Sequence, residues 1–162
     1  MNKVVIGIVP ILKFSEEDNP FEDTCTFIDN YSNKIANENA IPIRLLLKDG
    51  KLDKNTLDIC DSFIIPGGNR MYAIHFEIIE YAIKTKKPVL GICLGMQAMA
   101  CYSRLKEYAI ARNIEPTPEN LVILRKELQK ENIFMLEPLK KGHIHGEKIM
   151  NNEININEKN LL

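Results

Sequence analysis

Short apolar runs alternate with amphipathic stretches along the first two thirds of the chain. The apolar runs are rich in β-branched residues and cover Val4 to Val9, Ile41 to Leu47, Ser62 to Pro66 and Pro88 to Cys93. Apolar positions at helical spacing mark the stretches between and after them, at about 23–39, 56–61, 71–86 and 94–109. Buried strands that alternate with amphipathic helices are typical of a parallel sheet covered by helices. The pattern therefore predicts a three-layer α/β fold with a mostly parallel sheet.

The pattern changes in the last third of the chain. Thr117 and Pro118 are a favourable N-cap and first helical residue, and they predict a helix over about 117–131. The apolar face of this helix indicates packing on the domain, with a lid or a partner surface as the alternative. Residues 142–162 are polar with alternating isoleucines, which predicts a hairpin or a frayed tail. We expect a single domain over residues 1–162, because this length buries a sizeable core and no repeat divides it.

The charge balance argues against polyanionic partners. The chain has 21 basic and 22 acidic side chains and a formal net charge of -1. This balance leaves no surplus of positive charge for binding nucleic acid or an anionic membrane. The apolar run near the N-terminus is interrupted by Gly7 and Pro10, which favours a buried strand over a signal peptide. Small neutral or zwitterionic ligands fit this composition better.

The four cysteines indicate a reducing compartment. Cys25, Cys60, Cys93 and Cys101 form no CxxC pair, and a chain of this length needs no disulfide to fold. With only three histidines in the sequence, we also expect no metal site. The cysteine pattern therefore predicts a cytoplasmic protein without a metal.

The segment Gly91-Ile92-Cys93-Leu94-Gly95 lies between a predicted strand and a predicted helix. It is the cysteine counterpart of the G-x-S-x-G nucleophile elbow, in which a sharp turn holds the central side chain at the carboxyl edge of the sheet. The glycines leave room for neighbouring chain to approach closely. The positive end of the following helix favours a thiolate and can hold an oxyanion. We therefore predict that Cys93 is a nucleophile, with a buried core cysteine at a tight turn as the alternative.

A second loop supports this prediction. Pro66-Gly67-Gly68 ends the preceding predicted strand. Carboxyl ends of neighbouring parallel strands meet at one edge of a sheet, so backbone N–H groups of this loop are expected to face the same crevice. The two loops together predict one site.

Gly91-Ile92-Cys93-Leu94-Gly95-Met96-Gln97 resembles the nucleophile motif of class I glutamine amidotransferases, and Pro66-Gly67-Gly68 resembles their oxyanion strand. Segments at 6–8, 31–42 and 75–90 are similar to the γ-glutamyl hydrolase branch, peptidase family C26, which includes γ-glutamyl-γ-aminobutyrate hydrolases. The segment Leu94-Gly95-Met96-Gln97 also resembles the corresponding sequence in the glutaminase domains of CTP synthases. The resemblance is strongest over residues 3–103, leaves the helix at 117–131 as an insertion, and implies a flavodoxin-like fold.

The resemblance also implies roles for individual residues. Cys93 would attack an amide carbonyl, and backbone N–H groups of Gly68 and Leu94, beside Gly67, would hold the oxyanion. Gln97 would line the pocket for the glutamyl group. The implied substrate is glutamine or a γ-glutamyl amide, and the implied intermediate is a thioester that water or an acceptor amine resolves without a cofactor.

Members of the family complete the site with a late histidine and a carboxylate two residues after it. His145 and Glu147 have this spacing and are the candidates for the general base and the group that orients it. His145 is closer to Cys93 along the chain than is usual in the family, so an edge-strand or surface pair of His143 and His145 is the alternative. His75, after Pro-Gly-Gly, is expected to be a partly exposed residue on a helix face.

Two functions remain open from the sequence. The first is a cysteine-dependent C–N amide hydrolase that acts alone or passes ammonia to a synthetase partner. The second is a truncated or degenerate relative without a catalytic base, which acts as a binding or oligomerisation module. A homodimer is a further expectation, because an early chain end leaves sheet edges that a longer relative would cover.

Overall fold

The computed structural model describes residues 3–14 and 24–131. In this part of the chain the elements are, in order, β1 (Val5–Ile8), β2 (Ile11–Lys13), β3 (Thr24–Thr26), α1 (Asp29–Asn37), β4 (Ile41–Arg44), β5 (Leu47–Lys48), β6 (Lys51–Leu52), α2 (Lys54–Ile59), β7 (Ser62–Ile65), α3 (Ala73–Thr85), β8 (Val89–Gly91), α4 (Leu94–Ala111) and α5 (Pro118–Lys130). The predicted alternation of strands and helices is confirmed.

The central sheet has four parallel strands in the order β4-β1-β7-β8. When these four strands alone are numbered in chain order, their spatial order is 2-1-3-4, which is the order of flavodoxin-like folds. In the register, Gly7 of β1 lies beside Phe63 of β7, and Ile65 of β7 lies beside Gly91 of β8. The carboxyl ends of β7 and β8 therefore meet at one edge, where ligands bind in such sheets.

The prediction of one helix from about residue 23 to residue 39 is wrong in its first part. Thr24–Thr26 forms β3 instead, which pairs antiparallel with β2 and places Cys25 opposite Leu12. The backbone groups of these residues are satisfied by the hairpin partner, and threonine is suited to a strand. Helix α1 begins only at Asp29.

Helix α5 begins where Thr117 and Pro118 predict that a helix begins. The Thr117 side chain accepts a hydrogen bond from the Asn120 backbone N–H at 3.2 Å, and Pro118 is the first helical residue. Leu121, Leu124 and Leu128 are each 1% exposed and pack against α3 and α4. The expectation that this helix packs on the domain is confirmed.

The hydrophobic core fills the space between the sheet and these helices. Its largest fully buried side chains include Phe63, Phe76, Ile65, Ile78, Leu105 and Leu121. Strand β7 and the helices α3, α4 and α5 all contribute to this list, so the strand that leads to the Gly67-Gly68 loop is anchored in the core. Such packing is what holds a strained backbone conformation in place.

Candidate active site

Cys93 occupies the turn between β8 and α4 and is exposed. Its backbone has φ 52° and ψ -105°, a combination that residues with a side chain rarely adopt. Hydrogen bonds fix the chain on both sides of the turn. The Ile92 N–H donates to the Ile65 carbonyl at 2.9 Å, and the Gln97 N–H donates to the Cys93 carbonyl at 3.1 Å. The sharp strand-to-helix turn expected from the sequence is present.

The two glycines of the motif lie where no side chain fits. A Cβ on Gly91 would lie 2.6 Å from the backbone of Gly95 and of Met96. A Cβ on Gly95 would overlap the carbonyl oxygen of Ile65. Neither glycine has a positive φ, so crowding rather than backbone freedom requires them. The prediction that they allow close approach is confirmed.

The loop after β7 lies directly against the turn. A Cβ on Gly67 would be 3.3 Å from the Cβ of Cys93, and a Cβ on Gly68 would be 3.1 Å from the Leu94 side chain. Leu94 is the first residue of α4, so its N–H has no acceptor within the helix. The N–H of Gly95, by contrast, donates to the Ile92 carbonyl at 3.0 Å. Gly67 thus lies beside Cys93, and Gly68 lies beside Leu94, the next residue along the chain.

A cleft of about 470 Å³ opens beside Cys93. The loop after β7 lines it with residues 68–71, and α4 lines it with Cys93, Leu94 and Gln97. The predicted site residues Cys93, Gly68, Leu94 and Gln97 therefore share one concave surface at the carboxyl edge of the sheet. Such a surface is where a small-molecule site is expected in this fold.

Helix α5 forms a third wall of this cleft, a position that the sequence does not predict. The lining residues of the helix are Val122, Arg125, Lys126 and Gln129. They follow the spacing i, i+3, i+4, i+7, so they form one stripe beside the buried leucine stripe. This second period was readable in the sequence. What the sequence does not supply is the position of α5 beside the turn.

The expectation for His75 is wrong. It is buried, with 4% of its surface exposed, and it does not line the cleft in the described part of the chain. The Tyr72 backbone N–H donates to its Nδ1 at 3.0 Å, so the ring caps the start of α3. Burial lowers the pKa of His75 below its usual value, and the hydrogen bond with Tyr72 opposes this lowering. These contacts indicate that His75 stabilises the start of α3 and does not act as a catalytic base.

His143, His145 and Glu147 lie outside the described residues, as does the predicted hairpin or tail at 142–162. Their roles as base, orienting group or surface pair therefore stay predictions. His75 is the one histidine in residues 3–14 and 24–131.

The four cysteines are all reduced, and their surroundings differ. Cys60 and Cys101 are buried, and burial raises the pKa of both thiols. The positive charge of Arg125 acts in the opposite direction on the pKa of Cys101. Cys25 is exposed on the β2–β3 hairpin, and partial burial raises its pKa too. Of the four thiols, Cys93 alone lines the cleft.

Membrane-spanning helices and metal-binding clusters are both absent from residues 3–14 and 24–131. No helix there is long and apolar enough to cross a membrane. No group of three His, Cys, Asp or Glu side chains there is placed to hold a metal ion.

Comparison with known proteins places this site in a family. Residues 27–155 match the model of the family described as glutamine amidotransferase class-I. A CTP synthase of Thermosipho africanus is 57% identical over 49 residues, 29% of this chain and 9% of that protein. A CTP synthase of Methanothermobacter thermautotrophicus is 34% identical over 82 residues, 49% of this chain and 15% of that protein.

A second kind of relative is similar over a comparable stretch. The imidazole glycerol phosphate synthase subunit HisH 2 of Campylobacter jejuni is 39% identical over 56 residues, 32% of this chain and 29% of that protein. In each of these three relatives the matched segment spans less than a third of the relative's own length. The similarity to CTP synthases that the segment Leu94-Gly95-Met96-Gln97 predicts is confirmed.

Proposed function

Because the chain belongs to the class-I glutamine amidotransferase family, we propose that it hydrolyses the side-chain amide of glutamine or of γ-glutamyl compounds through Cys93. The observation that carries this proposal is the placement of Cys93. Its thiol is exposed at a strained strand-to-helix turn, at the N-terminus of α4 and in a cleft. Unpaired N–H donors at a helix N-terminus suit an attack that creates negative charge.

The reaction would proceed in two steps. The Cys93 sulfur attacks the amide carbon, the C–N bond breaks, and the amine leaves with one added proton. Water then attacks the thioester, which releases the glutamyl carboxylate and returns the thiol. Backbone N–H groups of Leu94 and of the Gly67-Gly68 loop would stabilise the oxyanion of each step. Removing one such donor typically lowers kcat by about 100-fold to 1,000-fold.

The general base is part of the proposal. His145, oriented by Glu147, would accept the thiol proton and return it to the leaving amine. His75 is unsuited to this role because its Nδ1 already accepts the Tyr72 N–H. If no histidine serves, the chain would bind glutamyl ligands without turnover, which is the binding-module function.

The finer assignment within the family is also proposed. We favour the γ-glutamyl hydrolase branch, peptidase family C26, on the segments quoted from the sequence. We further propose a single domain over 1–162 that binds a small molecule, with either a second copy of itself or a synthetase that consumes ammonia as protein partner. The relatives supply the second idea, since one is named as a subunit of a synthase.

The proposal is tested by measuring glutamate release from glutamine and from a γ-glutamyl amide. Cys93→Ala is expected to lower turnover at least about 1,000-fold, because the nucleophile is lost. Cys25→Ala is the matched control, since Cys25 is also exposed but lies on the hairpin. Turnover that persists in Cys93→Ala contradicts the proposal. Binding without turnover in the parent protein favours the binding module.

A further inference from the structure

The charge of the cleft is one-sided. Its lining includes three cations, Arg70, Arg125 and Lys126, and within the described residues it includes no carboxylate. Arg70 comes from the loop after β7, while Arg125 and Lys126 come from α5. Cations on two separate elements therefore face the space into which Cys93 opens.

The acidic residues of α5 do not neutralise this stripe. Glu119 pairs with Lys51 at 3.8 Å, and Glu131 pairs with Arg112 at 3.1 Å, both at the ends of the helix. Glu127 follows Lys126 directly, and neighbours one or two apart on a helix do not face each other. None of the ion pairs of the described residues involves the three cations of the cleft. Within residues 3–14 and 24–131, no carboxylate therefore pairs with Arg125 or Lys126, while the guanidinium of Arg70 lies 5.8 Å from the centroid of the Tyr72 ring.

Glutamine brings fewer carboxylates to such a cleft than a γ-glutamyl amide of an amino acid does. At neutral pH it is a zwitterion, with one carboxylate and one ammonium group, and its net charge is zero. A γ-glutamyl amide of an amino acid carries a second carboxylate on the leaving amine, and its net charge is negative. Guanidinium groups bind carboxylates with paired hydrogen bonds, so an arginine beside a lysine suits such a group.

We propose that Arg125 and Lys126 form a carboxylate-binding subsite, which selects amides whose leaving amine carries a carboxylate over glutamine. Arg70 adds to the attraction from the loop after β7. Arg125 is half-buried and Lys126 is exposed, and both residues line the cleft. This proposal rests on the proposed function, which identifies the amide bond that is cleaved. Binding of a carboxylate ligand at the subsite can nevertheless be measured without turnover.

The test uses the full chain with Cys93→Ala, so that ligands bind without reacting. Isothermal titration compares γ-glutamylglycine, which has the second carboxylate, with γ-glutamylmethylamide, which lacks it. We expect γ-glutamylglycine to bind at least about tenfold more tightly, and Arg125→Gln with Lys126→Gln to remove this preference. Lys130→Gln is the matched control, because Lys130 is an exposed cation of α5 outside the cleft.

Each outcome decides one of the two proposals. Equal affinity for the two ligands, no binding of either, or a preference that survives the double substitution overturns the subsite. Lys126→Gln alone is expected to weaken the preference, which guards against a folding defect from replacing the half-buried Arg125. Charge-selective binding in a parent protein that turns over neither of these ligands nor glutamine overturns the proposed function and supports the subsite. Turnover of both ligands with equal efficiency overturns the subsite and leaves the proposed function in place.

Discussion

Two turns of this molecule have the same backbone angle and hold it in different ways. Asp49, in the turn between β5 and β6, has φ 52°, and Cys93, in the turn between β8 and α4, also has φ 52°. Aspartate tolerates such an angle. Gly50 follows it with φ 74°, and no atom lies within 4 Å of the position that a Cβ on Gly50 would occupy. Cysteine has no such tolerance, and the glycines around it are crowded.

The difference shows where the conformation of each turn originates. In the turn between β5 and β6, the residue types of Asp49 and Gly50 favour the conformation by themselves. At Cys93, the packing of Gly91 and Gly95 on neighbouring backbone imposes an angle that the residue disfavours. A strained residue held by its surroundings is a common feature of functional sites, and it keeps the thiol aimed into the cleft.

The largest expected effect is from Gly95→Ala. The added Cβ would overlap the Ile65 carbonyl oxygen, so the end of β7 or the start of α4 must move. We expect a loss of roughly 3 kcal/mol or more in the free energy of unfolding, as for severe overpacking. Denaturant unfolding measures it. A loss below about 1 kcal/mol would contradict the role of crowding at this turn.

The next largest effect is expected from Cys93→Gly, because glycine adopts a φ of 52° without strain. Relief of strain outweighs the extra freedom of glycine in the unfolded chain, so we expect a gain of about 1 kcal/mol in unfolding free energy. Asp49→Gly, at the same φ, is the matched control and should gain less, because aspartate is less strained there. Thermal unfolding of both variants checks this. Equal gains at the two sites would remove the distinction between the turns.

A smaller effect is expected from Gly50→Ala. Nothing lies within 4 Å of the added methyl group, so only the positive φ of 74° opposes it. We expect a loss of about 1 kcal/mol or less in unfolding free energy, without any change in turnover. A loss as large as that of Gly95→Ala would mean that both turns depend on crowding.

The smallest effect concerns a third turn, between β7 and α3, where a hydrogen bond to His75 holds the chain. Burial lowers the pKa of His75 in the folded protein below 6.5. As the pH falls below about 6.5, the unfolded chain binds a proton that the folded chain refuses, so stability decreases. In His75→Gln, whose side chain can still accept the Tyr72 N–H, we expect a smaller decrease. Unfolding at about pH 7.5 and about pH 5.5, on either side of the unfolded pKa, measures both proteins, and identical decreases would contradict this account.

The sequence predicts the turn at Cys93 well because its signals are local. A strand, two glycines at fixed spacing and a following helix all lie close together along the chain, and parallel strand order brings the Gly67-Gly68 loop beside them. The four strands of the central sheet are equally visible in the sequence as short apolar runs. These features need no knowledge of distant contacts.

Other features depend on contacts between distant parts of the chain. The hairpin of β2 and β3 is missed because three residues of strand gain their order from a partner, not from their own pattern. The burial of His75 and the place of α5 at the cleft follow from packing among α3, α4 and α5. The sequence supplies the stripe of Val122, Arg125, Lys126 and Gln129 but not the surface that it faces.

The central claim is that Cys93 becomes acylated by the glutamyl group. The most direct measurement is the intact mass of the full chain, quenched in acid seconds after mixing with a γ-glutamyl amide, followed by mapping of the modified peptide. We predict a mass increase of one glutamyl group on the peptide that contains Cys93, its removal by hydroxylamine, and none in Cys93→Ala. Release of glutamate without an adduct on Cys93, or an adduct that persists in Cys93→Ala, would contradict the claim.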